Sequence, residues 1–222
     1  MIEPTPIGHR ELTVCFADLA GYSALTQTHG DDQAAEIAER YAKMAHDALR
    51  EGDRLIKTLG DAVLLVSLNP SSAIGLVERL LAAALRFPGL PILRVGLHHG
   101  PVVERGGDIY GNSVNLAARI AASAGGYQVL GTAEIAETAR ARGFGVASLG
   151  LVTFKNIHEK VEVFRILIGN DAGIFVDPVC QMRVEPATAA AMISSGGRKL
   201  WFCSAACLEK YRARPDAYYP SR

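Results

Sequence analysis

Two aspartates stand where the chain could do chemistry. Asp18 closes the apolar run at residues 11–18, ELTVCFAD, and Asp61 follows Gly60 between two strand-like runs. Each ends or turns a strand of the same predicted sheet, so the two could meet at one edge. Converging carboxylates repel unless a divalent cation neutralises them, and oxygen-only ligands suit Mg²⁺ or Mn²⁺. Asp is also favoured at turns and caps for its local hydrogen bonds, so spacing alone leaves both readings open. Directly after Asp18, the run Leu19-Ala20-Gly21-Tyr22-Ser23 offers a glycine and a serine at a possible helix start, where free N–H groups can hold phosphate oxygens. Asn115 and Arg119 lie four apart and share one helix face. An amide beside a guanidinium fork suits a ribose and the charge developing on a transferring phosphorus. A further set is Cys180, Cys203 and Cys207, with 22 and then three intervening residues. A C-x3-C pair at a helix start puts both sulfurs on one face, and the distant third thiolate completes three sites of a metal pocket. The alternative is three small buried hydrophobes in an aromatic core.

These residues need elements to hold them. Residues 11–18 read as a buried strand and 31–50 as an amphipathic helix, with Ala34, Ile37, Ala38, Tyr41 and Ala45 spaced by three and four. Residues 54–67 read as a hairpin with Gly60-Asp61 at its tip. Asn69-Pro70 opens a helix to about Phe87, and residues 92–98 and 101–104 follow as two strands. After the break Arg105-Gly-Gly-Asp108 come a helix at 112–124, a strand at 127–130, a helix at 132–142 and a closing strand pair at 144–168. The order β-α-β-β-α-β with additions predicts a mixed α/β (α+β) sandwich of the ferredoxin-like kind. The expected organisation is an N-terminal segment at 1–10, a main domain at 11–168, a glycine-rich linker at 169–174 and a small domain at 175–222. So short a final domain holds little core without a metal or a docking surface.

Composition narrows the function. Of 222 residues, 23 are Lys or Arg and 23 Asp or Glu, so the basic excess of a nucleic-acid binder is missing. The most apolar helical stretch, residues 73–87, carries Glu78 and Arg79 and falls short of the ~20 residues of a membrane crossing. Residues 1–10 lack the apolar run of a secretory signal. The expectation is a cytoplasmic protein with no membrane partner, whose cysteines serve metal or redox chemistry; Cys15, alone in an apolar run, is read as core. His98 and His99 are read as structural.

The chain resembles the class III nucleotidyl cyclases, which make cyclic AMP or cyclic GMP. Four blocks carry the likeness: Phe16-Ala-Asp-Leu-Ala-Gly-Tyr22, Ile56-Lys-Thr-Leu-Gly-Asp-Ala62, Arg94-Val-Gly-Leu-His-His-Gly-Pro-Val-Val103 and Gly107-Asp-Ile-Tyr-Gly-Asn-Ser-Val-Asn-Leu-Ala-Ala-Arg119. The resemblance implies that Asp18 and Asp61, with the Leu19 carbonyl, bind two Mg²⁺ or Mn²⁺ ions, and that Leu19, Ala20, Gly21 and Tyr22 contact the triphosphate. It implies that Lys57 and Asp108 read the adenine edge of ATP, that Asn115 orients the ribose, and that Arg119 stabilises the transition state. Guanylate cyclases typically carry Glu and Cys or a similar residue in place of the Lys57 and Asp108 pair. The resemblance further implies a head-to-tail homodimer, since each site takes the aspartates from one subunit and the other residues from its partner.

Around Asp177-Pro-Val-Cys180, Trp201-Phe-Cys-Ser-Ala-Ala-Cys207 and Tyr211, residues 175–219 resemble the YHS domain and the related TRASH metal-sensing motif, with Gln181 replacing the usual glycine. That resemblance implies Zn, Cu or Fe at Cys180, Cys203 and Cys207. The combined expectation is an adenylate cyclase modulated by a metal- or redox-responsive module. The alternatives are a metal-sensing regulator whose cyclase-like domain only binds nucleotide, and a guanylate cyclase.

Overall fold

The computed structural model describes residues 8–87, 89–169, 174–195 and 197–218. Strand β1 (Gly8–Leu19) is the axis of the main domain. It pairs antiparallel with β3 (Ala62–Ser67) on one side and with β4 (Leu93–Arg105) on the other. With β2 (Arg54–Leu59), β6 (Val129–Gly131), β8 (Val161–Leu167) and β7 (Gly145–Val152), the strand order is β2-β3-β1-β4-β6-β8-β7. The first four strands, joined through helix α2 (Asp31–Asp47) and helix α3 (Pro70–Leu85), form the expected βαββαβ unit.

Alternation along β1 decides the two layers. Cys15, Ala17 and Leu19, with Val63 and Leu65 of β3, face α2, α3 and α5 (Ala133–Ala141), which contribute Ile37, Tyr41, Ile74, Val77 and Ile135. Leu12 and Val14, with Leu64 and Val66, face α4 (Asn112–Ser123) through its Ala117. Helix α3 starts as its sequence dictates: the Asn69 side chain accepts from the Ser72 amide and Pro70 occupies the first turn. Cys15 is buried as expected, and burial pushes its thiol up to about 12.

Four features differ from the expectation. Strand β1 starts at Gly8, inside the expected N-terminal segment, because residues 8–11 pair with residues 101–104 of β4. Residues 92–98 and 101–104 form one strand, β4, instead of two. Pro101 lies between the stretch paired with β6 (95–97) and the stretch paired with β5 (Asp108–Tyr110), so its missing N–H forfeits no ladder bond on that side. The expected break at residues 105–108 is a tight hairpin, its Gly106 and Gly107 at φ 62° and 79° as a type I′ turn demands. Helix α1 (Tyr22–His29), read only as a possible helix start, runs for eight residues.

The C-terminal domain holds two short hairpins, β9 (Phe175–Val176) with β10 (Arg183–Val184) and β11 (Ala191–Ser195) with β12 (Arg198–Phe202), then α6 (Ala205–Ala213). Its Val179, Cys180, Met182, Phe202 and Tyr211 join the core on the α2 and α3 face of the large sheet. Pro91 bridges to Met182, and the Arg183 guanidinium donates to the Phe87 carbonyl at 2.6 Å. The linker expected at 169–174 lies outside the described residues except for Gly169 and Ile174.

Candidate active site

Antiparallel pairing brings the two aspartates together. Asp18 sits opposite Ala62 in the β1–β3 register, and the Leu19 amide donates to the Asp61 carbonyl at 3.2 Å, so the β2–β3 tip is fixed against the end of β1. The Asp61 carboxyl titrates above its ordinary value, first because it is partly buried and then because the Asp18 charge faces it. Sequence reasoning gave Arg94 no role. It lies opposite Asp18 in the β1–β4 register, and its Nε donates to Asp18 Oδ1 at 2.5 Å. Only the register of two strands 76 residues apart reveals that pair.

Beyond Asp18, the Ala20 amide donates to the Ile92 carbonyl at 2.8 Å. Gly21, in the left-handed region at φ 82°, then turns the chain into α1, whose first turn carries no side-chain cap. A helix start without a side-chain cap leaves its first N–H groups without a capping partner, four residues after Asp18.

The remaining site residues form a second set. Lys57 on β2 and Asp108 on β5 make an ion pair at 2.5 Å, because the β4–β5 hairpin curls over to reach the outer strand. A hydrogen bond from Lys57 holds the Asp108 carboxyl below its usual range, which keeps it an acceptor. Arg54 on β2 and Glu104 on β4 pair as well. Asn115 and Arg119 lie one turn apart on α4, both exposed. Among the described residues, no hydrogen bond or ion pair joins the Asp18–Asp61 set to the Lys57–Asp108 pair or to the Asn115 and Arg119 side chains. A cavity of about 460 Å³ between α2 and α3, lined by Arg40, Lys43, Arg79 and Phe87 among others, contains no residue of either set. His98 and His99 take packing roles, bonded to Thr132 and Thr13 at 3.0 and 2.9 Å.

The expected thiolate pocket also forms. Cys180 Sγ lies 3.4 Å from Cys203 Sγ, which lies 3.6 Å from Cys207 Sγ. Hydrogen bonds from the other two thiols pull Cys207 well below the ordinary thiol value, while Cys180 is pushed up. The sequence reading missed a fourth residue at this cluster, His29 at the end of α1, whose Nε2 is 3.6 Å from Cys203 Sγ.

A ferredoxin-like sheet with two carboxylates at a strand end and an uncapped helix start beside them places the chain among mixed α/β sandwich proteins. Within that class, the chain belongs to the adenylate and guanylate cyclase catalytic domain family, whose model matches residues 6–168. Residues 175–222 match the YHS domain. A pH-sensitive adenylate cyclase of Mycobacterium tuberculosis is 33% identical over 171 residues, covering 75% of this chain and 43% of that protein. An adenylate cyclase of Streptomyces coelicolor is 37% identical over 112 residues, covering 50% of this chain and 29% of that protein. The chain thus spans less than half the length of these relatives. Among solved structures, the adenylyl cyclase CyaB from P. aeruginosa superposes with a TM-score of 0.62 at 17% identity, over 75% of this chain and 98% of that one, a likeness of fold. Among the described residues, no helix is long and apolar enough to cross a membrane.

Proposed function

We propose that the protein is a cytoplasmic adenylate cyclase that converts ATP to 3′,5′-cyclic AMP and pyrophosphate at the interface of a head-to-tail homodimer. The observation that carries this reading is the division of the site. One chain holds a carboxylate set at the end of β1 and β3, and separately a base-reading pair and an exposed Asn–Arg face. Two copies arranged head to tail would bring each set against its complement, making two equivalent sites.

Asp18 and Asp61 would hold two Mg²⁺ or Mn²⁺ ions, with the Leu19 carbonyl beside them. Asp61 is shifted upward first by burial and then by the Asp18 charge, and a cation between the two carboxylates would offset both. Such ions lower the pKa of the ribose 3′-hydroxyl and neutralise the triphosphate. The turn of Leu19, Ala20, Gly21 and Tyr22 lies against the phosphates, with α1 presenting its first N–H groups. Asn115 of the partner copy orients the ribose for in-line attack, and the partner's Arg119 stabilises the charge developing on the α-phosphorus. Lys57 donates to an adenine ring nitrogen, and Asp108, kept ionised by Lys57, accepts from the exocyclic amine. Guanine would turn a carbonyl oxygen toward that carboxylate and an N–H toward the ammonium, leaving both unpaired.

The test is cyclic-nucleotide production by the full chain from ATP and from GTP with Mg²⁺ or Mn²⁺. Cyclic AMP from ATP, with GTP used at least about tenfold less efficiently, is the expected result. Cyclic GMP as the main product overturns the base assignment. No product under any metal or redox condition overturns the enzyme reading in favour of a nucleotide-binding regulator.

A further inference from the structure

Four ligand-type side chains meet at the seam of the two domains. His29 belongs to the cyclase domain and Cys180, Cys203 and Cys207 to the C-terminal one, yet their donor atoms all lie within 4.8 Å of one another. The individual contacts are 3.4 Å for Cys180–Cys203, 3.6 Å for Cys203–Cys207, 3.6 Å for His29–Cys203 and 3.9 Å for His29–Cys207. A tetrahedral ion with Zn–S near 2.3 Å and Zn–N near 2.0–2.1 Å needs S···S edges of about 3.8 Å and S···N edges of about 3.6 Å. Four of the six edges have nearly those dimensions before any ion is considered, and the other two, Cys180–Cys207 and His29–Cys180, lie within 4.8 Å. Its backbone is braced as well. Asp177 is wholly buried; its Oδ1 accepts from the Val179 amide at 2.8 Å and its Oδ2 from the Cys203 amide at 2.8 Å. The Ser204 side chain caps α6 by accepting from the Cys207 amide at 3.2 Å.

We propose that His29 is the fourth ligand of a closed Cys₃His site for an ion of the Zn²⁺ class, and that this ion clamps the C-terminal domain onto the turn leading into α1. The ligand and that turn are opposite ends of one eight-residue helix, which begins four residues after Asp18. At the near end, Gln181 rests against Gly21. A Cβ built on Gly21 would lie 2.2 Å from Gln181 Cβ, so the contact admits only glycine. Gln181 is held in the left-handed region at φ 62° beside Cys180, and its Nε2 donates to the Pro178 carbonyl at 3.1 Å. Metal at one end of α1 and Gln181 at the other therefore fix the helix and the turn together. The C-terminal domain joins the core on the α2 and α3 face of the sheet, so the clamp braces the turn from behind and leaves the α4 face uncovered. Turnover then depends on this ion as well as on the cations at Asp18 and Asp61; that consequence rests on the cyclase reading, whereas the ligand assignment does not.

The test uses the full reduced chain, titrated with Zn²⁺ and with Co²⁺ as a spectroscopic probe. One ion per chain with the absorption of a tetrahedral three-thiolate, one-imidazole site is expected, and His29→Ala should weaken binding at least about tenfold and shift the Co²⁺ bands. His29→Cys should restore affinity with a four-thiolate spectrum, which separates ligand loss from misfolding. Hydrogen exchange at residues 22–29 should slow on loading in the wild type and not in His29→Ala. Equal affinity and spectra in the wild type and His29→Ala, or α1 amides indifferent to the ion, would overturn the proposal. Cyclic AMP production in excess Mg²⁺ should fall several-fold when a zinc chelator strips the site. Unchanged production with intact metal binding overturns the clamp's control while leaving the enzyme reading in place; absent production throughout speaks against the enzyme reading and leaves the ligand assignment to the spectra.

Discussion

Asp61 concentrates the electrostatic problem of the site. Its carboxyl is displaced upward by burial and by Asp18, so its ionised form is a cost to the folded state at neutral pH. The sign follows from linkage: a folded-state value above the unfolded one means that stability rises as pH falls through the folded value, and that removing the charge helps the cation-free protein. Asp61→Asn should therefore raise the thermal midpoint without divalent ions and abolish the further rise that Mn²⁺ gives the wild type, both readable by thermal shift. A Mn²⁺ response that survives in Asp61→Asn would remove this residue from the metal site. Catalysis should fail in parallel. Asp18→Ala or Asp61→Ala should lower cyclic AMP production by about a hundredfold or more, since metal-derived charge stabilisation is worth several kcal/mol, with the dimer intact by sedimentation.

At the scale of elements, the position of α4 decides where Asn115 and Arg119 stand. The helix crosses β4 at Gly96, where an added Cβ would lie 2.2 Å from the Ala121 amide nitrogen and 2.6 Å from the Ala117 carbonyl oxygen. Backbone cannot yield there as a flexible side chain would. Gly96→Ala should cost about 1–3 kcal/mol or more in denaturant unfolding and lower kcat more than it raises the KM for ATP, because Arg119 is displaced while the Lys57–Asp108 pair is untouched. A variant with normal kcat would mean that α4 does not set the reacting geometry. On the same strand, burial followed by the neighbouring His99 holds His98 below its ordinary 6.5. The unfolded chain takes up that proton first, so the stability due to a neutral His98 is complete above about pH 6.5 and declines as pH falls toward the folded value. Denaturation midpoints measured between about pH 7.5 and 5.5 should fall more steeply in the wild type than in His98→Gln.

For the whole molecule, the divided site makes a sharp prediction about assembly. Asp18→Ala and Arg119→Ala should each be inactive alone, yet mixing and re-equilibrating them should restore about a quarter of wild-type turnover, since half the dimers are mixed and each mixed dimer has one intact site of two. No recovery would place both residues in the same subunit's site. The C-terminal domain is part of the same body. Its Phe202 and Tyr211 extend the core under α2 and α3, and Lys210 reaches the Gln27 carbonyl on α1.

The sequence by itself determined the local elements and the chemistry carried by adjacent residues. Period-3.6 spacing marked α2, Asn69-Pro70 marked the start of α3, Gly60-Asp61 marked the hairpin, and four blocks in order marked the cyclase set, because each of these is written in neighbours along the chain. Where the chain would stay extended was less legible: Pro101 and Gly106-Gly107 read as interruptions, and only the gap between the β6 and β5 pairings on one side of Pro101, with Glu11 of β1 opposite it on the other, shows why β4 runs through it. Tertiary structure alone decided the contacts made across long separations. Arg94 meets Asp18 through strand register, Lys57 meets Asp108 through the curl of β5, and His29 meets cysteines more than 150 residues away through the docking of two domains. None of these pairs shares a local pattern, since what brings them together is the packing of apolar faces far from the residues themselves.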